Sequence, residues 1–279
     1  MNRKKCLFSN RILLELILWF RVLLVKILIR RSQPDFMIIG AQKCGTTSLF
    51  NYICQYSTNF KPPLVKETQF FTQNYAKGLD YYYAHFPLFK SPTQITGEAS
   101  PTYLFFKKAA KRTHLHFPQL KLVVLLRDPV DRAYSHYHFS MRNLPESQKI
   151  SFEEALERED KLNFQTYSDY LSTAEKKSSY KSRGLYADQI EYWLEFFNME
   201  NIYFIEADEL KKSPDKILTN LFLFLGLKKE NSADFNNLKK YNRNSYPNMA
   251  TKTQGALRKF FQAPNQKLFA LLNKTYPWK

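Results

Sequence analysis

The sequence predicts an α/β fold with a central, mostly parallel sheet flanked by helices. Three short apolar runs indicate its strands: residues 35–40 (DFMIIG), 121–127 (KLVVLLR) and 202–205 (IYFI). Uninterrupted apolar runs are typical of strands that helices cover on both faces. Helix-like stretches separate the three runs, and this alternation indicates an α/β chain. With 279 residues, 44% of them hydrophobic, the chain is long enough to form a single catalytic-sized domain over residues 34–279.

Start and stop signals predict the helices of this fold. Ser151 and Glu154 have the spacing of a capping box, which favours a helix that begins directly after Ser151. Pro214 and Gly226 are typical residues for the first turn and for the end of a helix, and they bracket residues 215–225. The other predicted elements are helices from residue 46 and over 185–197, a short strand at 63–65, and polar loops at 163–182 and 231–247.

Residues 1–33 predict a basic amphipathic helix that precedes the domain. This segment holds eight Lys/Arg residues and one acidic residue, Glu15. Its apolar stretch, residues 12–29, is interrupted by Glu15, Arg21 and Lys26, so no uncharged run approaches the roughly 20 residues that span a bilayer. We therefore expect peripheral contact with an anionic membrane surface. A signal anchor and a helix packed on the core are the alternatives.

The net charge of +17 is concentrated at the two ends of the chain. Residues 239–279 carry nine Lys/Arg residues and no acidic residue, whereas the middle of the chain is close to neutral. This distribution indicates an anionic ligand or surface near the termini and argues against a nucleic-acid-binding protein. The three cysteines and five histidines lack disulfide or metal-ligand spacing. We therefore predict no metal site and a reducing, cytoplasmic compartment.

A loop with two glycines follows the first predicted strand. Residues 40–48 read GAQKCGTTS, and their Gly-x-x-x-x-Gly spacing is typical of a loop that surrounds a phosphate with backbone N–H groups. Nucleotide triphosphatases place a lysine directly after the second glycine. Here Thr46 occupies that position and the lysine is Lys43, so the usual arrangement for a γ-phosphate and magnesium is missing. A P-loop kinase or nucleotide hydrolase that uses Asp128 as a metal ligand is one alternative, and a non-catalytic protein that binds polyanions or membrane surfaces is another.

Together with three further segments, this loop resembles the sulfotransferases that use 3′-phosphoadenosine 5′-phosphosulfate (PAPS), and especially their carbohydrate, heparan-sulfate-type branch. The segments are residues 66–71 (KETQFF), 97–103 (GEASPTY) and 126–135 (LRDPVDRAYS), in the order of that family. The resemblance implies a three-layer, P-loop-like fold and transfer of a sulfuryl group from PAPS to a hydroxyl of a carbohydrate or lipid-linked acceptor. Ala99 differs from the lysine that heparan-type members often carry, so the acceptor stays open.

The resemblance also implies a role for each matching residue. Lys43 would contact the phosphosulfate and stabilise the negative charge that grows on the bridging oxygen. Glu67 would be the general base that takes the proton of the acceptor hydroxyl. The other implied cofactor-binding residues are Cys44, Gly45, Thr46, Thr47, Ser48, Arg127, Ser135, Tyr186 and Arg243. Among these, Arg127 and Ser135 would hold the 3′-phosphate. The alternatives are structural: an ion pair of Glu67 with Lys66, an ion pair of Arg127 with Asp128 or Asp131, and core packing for Tyr186.

Overall fold

The computed structural model describes residues 11–27, 31–142, 144–161, 179–231, 234, 235, 238 and 246–278. In these residues a four-stranded sheet forms the centre of the fold. Its strands are β1 (Phe36–Gly40), β2 (Gly97–Ala99), β3 (Lys121–Leu126) and β4 (Ile202–Glu206). They lie side by side in the order β2-β1-β3-β4, and every neighbouring pair is parallel. The predicted fold class is therefore confirmed.

Helices precede, separate and follow the strands in the described part of the chain. Each parallel crossover between neighbouring strands contains at least one helix, as parallel pairing requires. The described helices are α1 (Arg11–Ile27), α2 (Thr46–Tyr56), α3 (Leu79–Tyr83), α4 (Lys107–His116), α5 (Pro129–Met141), α6 (Phe152–Lys161), α7 (Tyr186–Leu194), α8 (Ala207–Lys212), α9 (Pro214–Leu225) and α10 (Thr251–Leu272).

The apolar runs correctly identified three of the four strands. All five residues of β1 are buried, as are the last five of β3, because helices cover both faces of the sheet. The second strand, β2, was not predicted, since it has only three residues and its central one, Glu98, is charged. The predicted strand at 63–65 is wrong: residues 64–66 form a bend, in which Leu64 N–H donates to the carbonyl of His85 at 2.8 Å.

The helix signals are largely confirmed. The Oγ of Ser151 accepts the N–H of Glu154 at 3.1 Å, and α6 begins directly after Ser151. Pro214 is the first residue of α9, and Gly226 ends it in the left-handed conformation at φ 74°. The helix predicted over 185–197 is shorter in the structure, where α7 ends at Leu194. Most of the two predicted polar loops, 163–182 and 231–247, lies outside the described residues.

The first helix, α1, packs against the body of the protein through one face. Leu18 and Val25 are buried, and the guanidinium of Arg21 donates to the carbonyls of Ala84, at 2.6 Å, and Phe86. One face of the helix therefore belongs to the core, as the packing alternative expects. None of the helices that the structure describes has the length and hydropathy of a membrane span. The domain boundary near residue 33 stays a prediction.

Candidate active site

The segments that the sequence singles out meet at one edge of the sheet. In a parallel sheet the carboxyl ends of neighbouring strands lie together, and ligands commonly bind beyond them. The loop after β1 is fixed there by Ala41 N–H, which donates to the carbonyl of Leu125 in β3 at 2.7 Å. The segment before Glu67 is fixed beside β2 by Ala99 N–H, which donates to the carbonyl of Lys66 at 3.0 Å. The phosphate-type loop, the Glu67 segment and the end of β3 therefore share this edge.

The loop after β1 leaves the N-terminus of α2 open to a ligand. Lys43 and Gly45 adopt left-handed backbone conformations, at φ 70° and φ 99°, so the chain turns sharply into the helix. Gly45 is the N-cap residue and supplies no side-chain acceptor to the first N–H groups of α2. Thr46 is buried and Thr47 and Ser48 are half-buried at this terminus. Such a helix start attracts anions through its N–H groups and its dipole.

The side chain of Lys43 lies in a strongly cationic environment. The pKa of its ammonium is lowered to about 8, chiefly by burial and then by the positive charges of the neighbouring Arg142, Arg127 and Arg132. Its Nζ lies 4.2 Å from the centre of the Phe139 ring on α5. Several cations held this close repel one another, so an anion bound among them would relieve the repulsion. The residues at this loop therefore fit an anionic group.

Arg127 directly follows β3, and Ser135 lies on α5, the helix after it. The guanidinium of Arg127 follows β3 directly and is only partly exposed, and Ser135 is buried on the second turn of α5. The structural alternative for Arg127 is also present, because its Nη2 lies 3.5 Å from Asp131 Oδ2. This is a long contact at the surface, where ion pairs contribute little. Arg127 therefore retains hydrogen-bonding capacity for a phosphate.

Arg132 is a residue whose position the sequence did not reveal. Its side chain is fully buried, one nitrogen, Nη2, donates to the carbonyl of Tyr180, and no hydrogen-bond partner for Nε or Nη1 lies within the part of the chain that the structure describes. A buried charge without compensation is costly. Because Arg132 acts electrostatically on Lys43, Cys44 and Arg127, it adds positive potential beneath the loop.

Cys44 and Tyr186 lie under the loop and not on its open side. Both are buried, with Cys44 Sγ 3.6 Å from the Tyr186 hydroxyl. That hydroxyl donates to the carbonyl of Arg127 at 2.9 Å, so Tyr186 connects the loop to the end of β3. Burial raises the pKa of the Cys44 thiol, which makes it a poor nucleophile. Contact of either residue with a cofactor stays a prediction, and the geometry favours a supporting role.

The carboxylate of Glu67 is held at both oxygens. Its Oε1 lies 2.5 Å from the ammonium of Lys66, so the ion pair considered as an alternative is present. Its Oε2 accepts a hydrogen bond from Gln69 Nε2 at 3.1 Å. The Glu67 side chain nevertheless remains 39% exposed. An oriented carboxylate that solvent still reaches is suited to accept a proton from an incoming hydroxyl.

A buried carboxylate, Glu98 of β2, supports the segment that carries Glu67. Its Oε2 accepts Thr68 Oγ1 at 2.8 Å, Thr68 N–H at 3.3 Å and Ser100 Oγ at 2.7 Å. Its Oε1 accepts the hydroxyls of Tyr82 at 2.9 Å and Tyr103 at 3.2 Å. Burial raises the pKa of Glu98, and the hydrogen bonds from Ser100 and Thr68 oppose that rise. The sequence showed Glu98 only as part of a motif, without a role.

Asp128, the metal ligand of the kinase alternative, is engaged elsewhere. Its Oδ1 accepts the N–H of Val130 at 2.9 Å and caps α5, and its Oδ2 forms an ion pair with Arg258 of α10. Asp128 is buried. Both oxygens therefore have structural partners, which disfavours a Walker-type role for this aspartate.

The predicted cofactor residue Arg243 lies outside the described residues. The chain is described again from Tyr246, whose ring stacks on His138 of α5 at 4.3 Å. The carbonyl of Pro247 accepts the hydroxyl of Tyr134, also on α5, at 3.0 Å. The segment that follows Arg243 is therefore anchored to the helix that carries Ser135.

Comparison with known proteins identifies the family to which this chain belongs. Residues 33–265 match the sulfotransferase domain family, so the chain belongs to that family. A solved structure, the sulfotransferase from Alicyclobacillus acidocaldarius, is similar to this fold with a TM-score of 0.70 and 28% identity. The similarity covers 88% of this chain and 98% of that one. The resemblance to sulfotransferases and their P-loop-like fold is thereby confirmed.

Individual relatives show which members of the family this chain is similar to. The bifunctional heparan sulfate N-deacetylase/N-sulfotransferase 1 of Caenorhabditis briggsae is 33% identical over 71% of this chain, which spans only 23% of that protein. The membrane-associated sulfotransferase kil1 of Dictyostelium discoideum is 27% identical over 88% of this chain and 66% of its own length. Human heparan sulfate glucosamine 3-O-sulfotransferase 6 is 26% identical over 89% of this chain and 75% of its own length. The predicted similarity to the heparan-sulfate-type branch is confirmed.

Proposed function

We propose that this sulfotransferase moves the sulfuryl group of PAPS to an acceptor hydroxyl by in-line displacement. The observation that carries the proposal is the uncapped N-terminus of α2 beside Lys43, whose ammonium lies among three arginines. A helix N-terminus and several fixed cations suit a ligand with phosphate groups at both ends. When bound, PAPS supplies the sulfuryl group and a phosphate leaving group.

The cofactor would be held from two sides. Lys43 and the N–H and hydroxyl groups of residues 45–48 would bind the phosphosulfate end, and Lys43 would neutralise charge on the departing phosphate. Arg127 and Ser135 would bind the 3′-phosphate, for which a planar guanidinium and a hydroxyl are suitable donors. Arg243 belongs to the same proposal. No residue in this scheme requires a metal ion.

Glu67 would act as the general base. Lys66 and Gln69 orient its carboxylate, and its exposed fraction leaves room for an acceptor. The proton of the acceptor hydroxyl would pass to Glu67 as the oxygen attacks sulfur. An acidic side chain fixed in this way keeps its direction while the acceptor binds.

The acceptor class follows from the relatives and from the charge of the chain. We propose a hydroxyl of a carbohydrate or of a lipid-linked acceptor, because two of the relatives are named for heparan sulfate and another as membrane-associated. Residues 1–33 would give peripheral contact with a membrane on its cytoplasmic side, which the excess of Lys/Arg in this segment supports.

The proposal is tested by following radiolabelled sulfate from PAPS into two acceptors, a heparan-type polysaccharide and vesicles that contain glycolipid. We expect transfer by the wild type to at least one acceptor, and a loss of more than about a hundredfold in Glu67→Gln, the range general-base removal typically costs. Glu153→Gln, at an exposed glutamate of α6, is the control and should retain activity. Full activity of Glu67→Gln would contradict the role of Glu67, and no transfer to either acceptor would contradict the acceptor class.

A further inference from the structure

The side of α1 that points away from the protein is almost entirely apolar. Ile12, Leu16, Trp19, Leu23 and Ile27 recur at intervals of three or four residues, so they lie on one face of the helix. They are 76%, 62%, 67%, 41% and 79% exposed, and the neighbouring Leu13 and Phe20 are also exposed. We call these seven residues the outward face of α1. Monomeric soluble proteins rarely expose so many large apolar side chains together.

The outward face cannot turn into the core, because the opposite face is fixed. Leu18 and Val25 are buried against the body, and Leu14 and Val22 pack beside them. The two hydrogen bonds from Arg21 to backbone carbonyls of residues 84 and 86 lock the rotation of the helix. A helix with two apolar faces, one docked and one exposed, therefore needs a second apolar environment outside the protein.

The positive charge of residues 1–33 favours a lipid surface as that second apolar environment. Residues 1–33 contain eight Lys/Arg residues, of which Arg21 faces the body of the protein and Arg31 pairs with Asp80 at 2.9 Å. Their one acid, Glu15, lies 3.6 Å from the ammonium of Lys77. Two copies of this chain joined through α1 would bring two strongly basic segments together, and their repulsion opposes such a dimer. An anionic bilayer instead attracts the segment by about 1 kcal/mol for each cation near its surface. Trp19 further favours the interface, since tryptophan is enriched at that level of the membrane.

We infer that the outward face of α1 inserts into the interfacial layer of an anionic membrane and holds the catalytic domain directly on it. The helix is about 25 Å long, at 1.5 Å per residue, and lies parallel to the surface. This inference deepens the membrane contact proposed above by assigning it to one face of one helix, and it rests on that proposal alone.

The position of α1 also links the membrane to the proposed base. The helix packs on α3, whose Tyr82 hydroxyl donates to Glu98. Glu98 in turn holds Thr68, the residue after Glu67. The helix that would lie on the membrane is therefore connected, through α3 and Glu98, to the segment that carries Glu67.

The experiment is vesicle binding by the full chain. Vesicles of phosphatidylcholine, with and without phosphatidylserine, are sedimented with the protein, and lipids brominated in their acyl chains report which tryptophan is quenched. We expect binding that requires phosphatidylserine and weakens with salt, with quenching that disappears in Trp19→Phe, because Trp193 is buried and Trp278 is only half-exposed. The double substitution Leu16→Glu with Leu23→Glu should lower partitioning at least about tenfold, as loss of two buried leucines predicts.

A matched control separates this face from general hydrophobicity. Leu223→Glu changes a leucine of α9 that is 75% exposed and should leave vesicle binding unchanged. Equal binding by the wild type and the α1 double variant would overturn the inference, as would a wild-type dimer that the double variant converts to monomer. Stabilisation by adenosine 3′,5′-bisphosphate should be the same in every variant. Its absence in all of them would count against the PAPS proposal and not against the membrane surface.

Discussion

At the scale of single residues, the site is defined by a group of cations that lie close together. Lys43, Arg127 and Arg132 act on one another electrostatically around the loop after β1. Arg132 is fully buried and has two nitrogens without a hydrogen-bond partner in the described residues. Such an arrangement is unfavourable without an anion, which is why these residues support a nucleotide with several phosphate groups.

The first prediction concerns the pH dependence of cofactor binding. The pKa of Lys43 is lowered to about 8, so its ammonium loses its proton above that pH in the free protein. A bound anion favours the protonated form, so affinity is high at lower pH and falls as pH rises through about 8. Isothermal titration with adenosine 3′,5′-bisphosphate measures this. Lys43→Arg keeps its charge throughout this range and should remove the fall. An identical pH profile in both proteins would be inconsistent with the role of Lys43.

The sequence points to candidate residues of the site but to only part of their surroundings. Lys43, Glu67 and Arg127 were identifiable because each lies in a motif that resembles the sulfotransferase family, and Lys43 and Arg127 also follow apolar strands. The contacts of Cys44 with Tyr186, and of Arg127 with the Tyr186 hydroxyl, join residues 59 or more positions apart, and no local pattern records them. The supporting role of Tyr186 therefore needed the fold.

At the scale of elements, short segments are positioned by buried polar groups as much as by apolar packing. β2 has three residues and cannot by itself fix the segment that carries Glu67. Glu98 accepts hydrogen bonds from Thr68, Tyr82 and Tyr103, and thereby joins that segment to α3 and to the turn after β2. A charged residue in the middle of a strand hides the strand from an apolar-run analysis, and that is why β2 was missed.

The second prediction concerns the role of Glu98 and is tested by Glu98→Gln. The amide cannot accept all five hydrogen bonds, and buried hydroxyl donors are left unpaired. We expect the free energy of unfolding to fall by about 1.5–3 kcal/mol and sulfuryl transfer to fall with it, as the Glu67 segment loses its support. Denaturant titration measures the first quantity. Glu154→Gln, which removes an exposed i,i+4 pair on α6, is the control and should cost well under 1 kcal/mol. Equal losses in the two variants would count against this role of Glu98.

At the scale of the whole molecule, one parallel sheet organises both the chemistry and the outer surface. Its carboxyl edge gathers the loop after β1, the Glu67 segment and Arg127, although these are separated by many residues in sequence. The first helix is attached to the body of the protein through α3 and presents its outward face to the exterior. The apolar pattern predicted a helix here, but only the fold reveals which of its apolar residues are docked and which remain exposed.

The central claim is that the carboxyl edge of the sheet binds PAPS, and thermal stability with adenosine 3′,5′-bisphosphate tests it most directly. A ligand at about 100 times its dissociation constant stabilises the folded state by roughly 2.7 kcal/mol, which raises the melting temperature by several degrees. We predict this rise with the bisphosphate, a smaller one with ATP, loss of the rise in Arg127→Ala, and its retention in Arg158→Ala, which changes an exposed arginine of α6. No rise with the bisphosphate, or an equal rise in Arg127→Ala, would contradict the claim.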